Sequence, residues 1–450
     1  MHDVIVIGAG LSGVAAARAL VAAGLDVVVL EARDRVGGRT LDHPIGDGAV
    51  VELGGQWIGP TQTRMAALAD ELEIATFETH GTGAHLFEAR GQLRRYRGTI
   101  PRTPNPLAVL DVGIAMARLN RLAEQIDVDA PWRSPRARLH DTQTVATWLR
   151  RNVATRDGRA LLKLVVEGVW AADPADVSFL HLLTYIASAG SLELLTDTAG
   201  GAQERRFVGG SQQVAVRLAD RLGDRVRLDE PVRRIDRADD EVTVTTDRGT
   251  HRARRVVVAI PPTLAGRLVY APALPGDRDG LTQRYAQGSV VKCMAVYPEP
   301  FWRDDGLSGQ ATSIDGPVKV VFDNSPPDGR PGVLLGFLEG RQARVHGRRS
   351  PAERRAVVTA ALTRLFGPRA ADPIDYVDKA WAEEEFTRGC YAGYLPPGGW
   401  TDHGHALRRP IGPIHWAGTE TATVWNGYME GAVRAGERAA AEIIGTLPSP

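Results

Sequence analysis

Residues 4–40 read VIVIGAGLSGVAAARALVAAGLDVVVLEARDRVGGRT, and this stretch decides the fold. Val4 to Ile7 form a short β-branched run. Gly8, Gly10 and Gly13 follow at G-x-G-x-x-G spacing, and Val14 to Ala23 is predicted as a small-residue helix. After a turn at Gly24, Val27 to Leu30 read as a second buried strand closed by Glu31. Together these make a βαβ dinucleotide-binding signature. Gly8 permits the tight turn, Gly10 lets the backbone approach a pyrophosphate, and Gly13 lets helix and strand pack closely. The helix N-terminus offers unpaired N–H groups to phosphates. Glu31 sits about 20 residues on, where an acid accepts hydrogen bonds from a ribose diol, which disfavours a 2′-phosphate and hence NADP. Gly37, Gly38 and Arg39 suit a second contact with pyrophosphate, an extension that a nicotinamide enzyme has no obvious need for.

Composition narrows the classes of function. The chain has 450 residues, 43% of them hydrophobic, enough for two or three domains. Lys+Arg and Asp+Glu are both 54, so there is no electrostatic footprint for nucleic acid, and a small-molecule partner is expected. The two cysteines, Cys293 and Cys390, are too few for a disulfide framework. The first strand begins at Val4, which leaves no room for a signal peptide, and no apolar run reaches the length of a membrane span. A soluble cytoplasmic protein is therefore expected, with no metal site.

Further along, Val50 to Thr61 carries the paired glycines Gly54 and Gly55, again sites of close backbone approach, and Thr63 to Leu72 is predicted as a helix. From Phe77 to Arg206 the chain reads as a mostly helical insertion. Pro101, Pro104 and Pro106 punctuate a loop, and helices are predicted over 107–126, 145–151, 159–169 and 178–189. A helix over 213–222 and strands at 226–228, 232–236, 242–246 and 256–260 return to the nucleotide-binding sheet. Strands at 288–298, 318–323 and 332–339 belong to the second unit, with a helix over 351–366. Ile414 to Ala417 is read as a strand, Gly418-Thr419-Glu420 as a loop, and Gly427 to Ile444 as a helix whose N-terminus faces the same cavity as the first.

The chain resembles the flavin-containing monoamine oxidases over nearly its whole length. The resemblance is carried by GAGLSG at 8–13, RVGGRT at 35–40, ELGGQWIGPTQ at 52–62, AQERRFVGGSQQ at 202–213, GSVVKC at 288–293, EPFWR at 299–303, EEEFTRGCYAGYLPPG at 383–398 and WAGTETATVWNGYMEGAVRAGERAA at 416–440. It implies an α/β chain, α+β overall. A Rossmann-like FAD-binding domain (1–76, 207–281 and 383–450) would interleave with a mixed sheet-and-helix substrate domain (77–206 and 282–382).

Carried onto this sequence, the resemblance implies FAD as cofactor, with Glu31 at the adenosine ribose, Arg39 at the pyrophosphate, Val232 at the adenine and Trp381 beside the flavin. Gly54, Gly55, Gln56, Gly418, Thr419, Glu420 and Met429 complete the cofactor set. Cys390 matches the cysteine bonded to the flavin 8α carbon in animal members, although RGCY replaces their GGCY, and Arg388 beside it is expected to favour the thiolate. Tyr391 and Tyr428 match two tyrosines flanking the substrate amine, and Lys292 the lysine that reaches flavin N5 through water. Leu195, Gln203 and Val320 fall on the substrate path; Val320 stands where one animal form has a bulky aromatic, which implies a wider pocket. The implied activity is oxidation of a primary arylalkyl monoamine by O₂ to aldehyde, ammonia and H₂O₂. The alternatives are a diamine or polyamine oxidase, an L-amino-acid oxidase and a non-catalytic flavoprotein. The chain stops at Pro450 without the membrane anchor of the animal enzymes, and a homodimer is common among relatives.

Overall fold

A central mixed sheet, parallel at its heart, is built around the first strand, His2–Ile7, which pairs with Val27–Leu30 on one side and Gly249–Val258 on the other. Its full order is 226–227, 27–30, 2–7, 249–258, 242–246, 232–237 and 269–271, and Ile414–Trp416 also pairs with 249–258. The computed structural model describes residues 1–46, 48–98 and 105–447; Pro101 and Pro104 of the proline loop lie outside the described residues. Val4 to Ile7 and Val27 to Leu30 are all buried, as a parallel strand covered on both faces requires, and this is why they read as unbroken apolar runs. Helix Leu11–Ala22 covers one face and packs along helix Met429–Ile444. Small residues make that approach possible. A Cβ on Gly13 would collide with the Gly8 carbonyl oxygen, and one on Gly436 with the Ser12 carbonyl oxygen.

The second sheet has seven strands in the order 375–380, 290–297, 332–339, 320–323, 307–313, 84–89 and 92–96. Val290–Tyr297 and Gly332–Glu339 lie antiparallel at its centre and are buried throughout. Side chains alternate across the sheet. Val291, Cys293, Ala295, Leu334 and Leu338 pack on helix Pro351–Phe366, which opens on a Ser350/Glu353 capping box. Val290, Met294, Leu335 and Phe337 face the other way, and Lys292, opposite Phe337, shares that face. A helical layer that includes Pro106–Ala123, Arg156–Trp170 and Phe179–Ala189 closes over the space beyond.

Most predicted elements are found near their expected ranges, while several strands fall outside them. Ala84–Ala89 and Gln92–Tyr96 form a hairpin inside the stretch read as mostly helical. Its second strand is largely exposed, so it shows no apolar alternation. The two-residue turn at Arg90 and Gly91, both at positive φ, was its sequence signal. Leu307–Ser313 and Asp375–Ala380 were missed likewise; the latter is half-buried and polar and relies on pairing with 290–297. Strand Gly249–Val258 starts well before the predicted Val256, because its polar first half is held by the antiparallel partner Val242–Thr246. The first helix starts at Leu11 rather than Val14, with Gly13 accommodated by packing. Among the described residues no helix is long and apolar enough to cross a membrane, and no group of three or more His, Cys, Asp or Glu is arranged to hold a metal ion.

Candidate active site

Between the two sheets lies a cavity of about 1240 Å³. It exceeds the roughly 300–1,000 Å³ of single drug-sized sites, as an extended dinucleotide together with a substrate demands. Every residue singled out from the sequence lines it except Gly13 and Glu420. Gly13 sits behind the wall as a packing residue, and Glu420 is fully buried beneath Arg39.

One part of the lining fits a dinucleotide. Glu31 closes the second strand, and its carboxylate accepts the N–H of Ala9 at 2.7 Å and of Arg33 at 3.1 Å. Those bonds aim the group while leaving lone pairs unused, and burial still raises its pKa against the pull of Ala9 and Arg33. A ribose diol would supply the missing donors. Gly10 and Gly38 face each other backbone to backbone, with a Cβ on Gly38 only 3.2 Å from Gly10 Cα, so neither chain segment screens the turn. Helices Leu11–Ala22 and Met429–Ile444 both begin without a side-chain cap, and residues of both first turns line the cavity. Their free N–H groups and dipoles suit phosphate and an electron-rich ring. The Gly418 N–H is tied to Ser12 Oγ at 2.9 Å, and Thr419 Oγ1 donates to the Tyr428 carbonyl at 2.7 Å, which fixes the last loop against both helices.

Arg39 lines the cavity and is also bonded to protein. Its guanidinium forks onto Glu420, Nη1 to Oε1 at 2.6 Å and Nη2 to Oε2 at 3.0 Å, and Nη1 also donates to the Tyr391 carbonyl at 3.0 Å. Its bidentate face is thus committed to protein. Trp381 is fully buried, its indole N–H on the Leu53 carbonyl at 2.7 Å. Gln203 donates to the Leu195 carbonyl at 3.1 Å, which leaves its own Oε1 without a partner.

The two tyrosines expected to flank the amine are each packed against further aromatic rings. Tyr391 stands 5.9 Å from Phe337 in an edge-on contact, and its hydroxyl donates to Glu339 Oε1 at 2.9 Å. Tyr428 is held by Trp425 at 4.9 Å and Tyr185 at 6.0 Å. Lys292 donates to the Gly54 carbonyl at 2.8 Å and to Gln56 Oε1, and Gln56 in turn donates to Asn324 Oδ1 at 2.6 Å. Burial brings the Lys292 pKa down to about 7, against the attraction of Glu52 and Asp42. Two of its three N–H bonds are spent on protein, which leaves one for whatever occupies the cavity. The Cys390 thiol is buried, and burial pushes it up to about 12; the cation that most opposes this is Arg39. Arg388, expected to favour the thiolate, is exposed, and Arg39, Arg33 and Lys292 are cations that pull the thiol pKa down.

Two residues went unnoticed in the sequence. Tyr185 packs behind Tyr428, and its only signal was a place in an apolar helix. Glu339 ends a strand whose other residues are apolar or glycine, GVLLGFLE, where a terminal acid ordinarily turns to solvent; here it is 2% exposed and lines the cavity.

Residues 11–444 match the family model described as flavin containing amine oxidoreductase. The chain belongs to the flavin-containing amine oxidase family. It is 45% identical over 445 residues to AofH of Mycobacterium tuberculosis, an alignment covering 99% of this chain and 97% of that one. Among solved structures it is similar to a putrescine oxidase bound to putrescine, with a TM-score of 0.95, 39% identity and 99% of both chains covered. It is also similar to cyclohexylamine oxidase from Brevibacterium oxydans IH-35A, with a TM-score of 0.94, 36% identity and the same coverage. As a flavin amine oxidase the protein is an oxidoreductase, and membership implies FAD, which the Glu31 end, the glycine cradle and the two uncapped helix starts fit.

Proposed function

We propose that this flavin amine oxidase oxidises primary arylalkyl monoamines: RCH₂NH₂ + O₂ + H₂O gives RCHO, NH₃ and H₂O₂. The observation that carries the reading is that Tyr391, Tyr428 and Lys292 line one cavity with the dinucleotide-fitting wall. Bound FAD would supply the chemistry of accepting two electrons and a hydrogen from the carbon that bears nitrogen. Glu31, Val232 and the glycine turn would hold the adenosine and pyrophosphate end, and Trp381 and Gly54 to Gln56 the ring end. The tyrosine faces exclude water and orient the nitrogen. Lys292 offers positive charge where O₂ is reduced. Cys390 is the candidate attachment point for the cofactor; colour that stays with acid-precipitated protein supports a covalent bond, and colour released to the supernatant opposes it.

A second reading, a diamine oxidase, is favoured by the buried acid Glu339 and by the likeness to putrescine oxidase. An aerobic panel of benzylamine, phenethylamine, tyramine, putrescine, spermidine and L-phenylalanine, followed by H₂O₂ release, separates the two. Turnover led by the arylalkylamines supports the monoamine reading. Turnover led by putrescine overturns it.

A further inference from the structure

Among the described residues, Glu339 is a charged side chain of the cavity wall with a buried oxygen that no hydrogen bond satisfies. Its Oε1 accepts the Tyr391 hydroxyl at 2.9 Å, and its Oε2, equally buried, has no hydrogen-bond partner among the described residues. The side chain is 2% exposed and shares its stretch of wall with Phe337, Val320 and Val290, all apolar. The charged groups that face it come from three other elements. Glu167 belongs to helix Arg156–Trp170 and is tied to Lys163 at 3.6 Å; Lys319 precedes strand Val320–Asp323 and donates to the Ile314 carbonyl at 3.1 Å; Lys292 lies two positions from Val290, which is Glu339's partner across the sheet. None of the three is hydrogen-bonded to Oε2. A buried carboxylate oxygen left open beside the aromatic cage is costly unless something entering the cavity uses it.

What enters is an amine, and in neutral water an amine is an ammonium. Aromatic faces attract that cation, yet oxidation requires the nitrogen lone pair to be free, so a proton must leave before the carbon can react. The group to receive it has to lie beside the cage, accept a hydrogen bond and be able to hold a proton. Lys292 meets the last condition, but two of its N–H bonds already point at acceptors. Glu339 meets all three.

On the reading that the protein oxidises primary amines, we propose that Glu339 is the base that takes the proton of the incoming ammonium. The step is RNH₃⁺ + Glu339–COO⁻ → RNH₂ + Glu339–COOH. One N–H bond breaks, its electron pair stays on nitrogen as the lone pair, and one O–H bond forms at Oε2. Oε1 keeps its bond from Tyr391, so receiving the proton leaves the cage in place. Burial raises the Glu339 pKa to about 8, against the Tyr391 hydrogen bond and Lys319, with Glu167 adding to the rise. That value brings the carboxyl towards the range of a desolvated amine, where transfer runs near balance.

The variant is Glu339→Gln, which keeps the shape and an acceptor for the Tyr391 hydroxyl. With benzylamine, kcat/KM of the variant should fall about 100-fold near pH 8. The deficit should shrink as pH rises towards the amine's own pKa, because the substrate then arrives neutral. It should be nearly absent for 2,2-difluoro-2-phenylethylamine, a much weaker base. A deficit equal at every pH and for both amines overturns the proposal and leaves Glu339 a support for Tyr391; no deficit overturns it outright; a loss confined to putrescine makes Glu339 an anchor for a distal nitrogen instead. A binding measurement decides the matter without turnover. tert-Butylamine has no hydrogen on its nitrogen-bearing carbon, and its binding to the holoenzyme at pH 9 can be followed by calorimetry in two buffers of different ionisation enthalpy. The wild type should release no net proton and the Gln variant about one per site; equal release overturns the proposal. If the wild type oxidises no amine at all, it is the function proposed above that has failed, and the calorimetric comparison still tests Glu339.

Discussion

Arg39 and Glu420 form a two-bond fork on the cavity wall, with Nη1–Oε1 at 2.6 Å and Nη2–Oε2 at 3.0 Å, and Glu420 has no exposed surface. Glu420 also accepts the Gly393 N–H at 3.1 Å, and Arg39 donates to the Tyr391 carbonyl. The pair therefore joins three segments remote in sequence: the glycine loop before Arg39, the Cys390–Tyr394 stretch that carries the cavity-lining Tyr391, and the loop ahead of the last helix. Arg39, which lines the cavity, thus also holds the architecture of the site.

Replacing Arg39 by Leu leaves Glu420 charged and buried without its partner. We expect a loss of about 3–5 kcal/mol of stability at neutral pH, read by urea unfolding, with most of it restored in the Arg39→Leu/Glu420→Leu double variant. The pH dependence follows from the sign of the shift. Burial pushes the Glu420 carboxyl up, but the Arg39 charge and hydrogen bonds outweigh it, so its pKa lies below the ordinary 4.5. A depressed carboxylate contributes stability above its unfolded pKa and loses it as pH falls through the folded one. The gap between wild type and the Arg39 variant should therefore narrow below pH 4.5.

Two glycines of the first turn separate folding from cofactor binding. A Cβ on Gly10 would meet nothing closer than Gly38 Cα at 3.8 Å, an ordinary contact, and its φ of −71° suits any residue. Gly10→Ala should fold with a nearly unchanged melting temperature yet lose flavin on dialysis, since the methyl intrudes only on the cradle. Gly13→Ala puts its methyl into the Gly8 carbonyl and should abolish soluble expression. If Gly10→Ala keeps its flavin, the cradle is misassigned.

What the sequence made legible is what local pattern encodes. The βαβ turn and Lys292 amid Val290, Val291, Cys293 and Met294 could be read from glycine spacing and strand pattern, whereas Tyr391 and Tyr428, which line the cavity, were marked only by the family resemblance. Contacts of high sequence separation could not be read. Arg39 and Glu420 are 381 residues apart, and no property of either announces the other. Glu339 was hidden for a related reason. Whether an acid at the end of an apolar strand meets solvent or a cavity depends on the helical layer laid over it. The hairpin at 84–96 failed on burial, since an exposed edge strand has no apolar face to betray its period.

Lys292 gives a prediction with a sign. A lysine whose pKa is near 7 carries its charge below that pH and loses it above. If its cation stabilises charge developing on O₂, kcat/KM for O₂ should decline as pH rises through about 7. Lys292→Met should be slower by about 100-fold at pH 6 and nearly independent of pH. Oxygen consumption at saturating amine, with O₂ varied, measures both. A variant with the wild-type pH profile would remove Lys292 from the oxygen step.

Tyr428 tests whether the rings act through their faces. Trp425 and Tyr185 grip it from behind, so Tyr428→Phe should keep the same ring position. We expect it to stay within about twofold of wild type in kcat/KM for benzylamine, because the π face survives. Tyr428→Leu fills similar space without a quadrupole and should lose about tenfold. A tetramethylammonium ion, which binds a cage as a cation and cannot be oxidised there, gives the matching control as a competitive inhibitor. Its inhibition constant should rise in the Leu variant and not in the Phe variant. Equal losses in Phe and Leu would mean that the hydroxyl, not the face, is what the site requires.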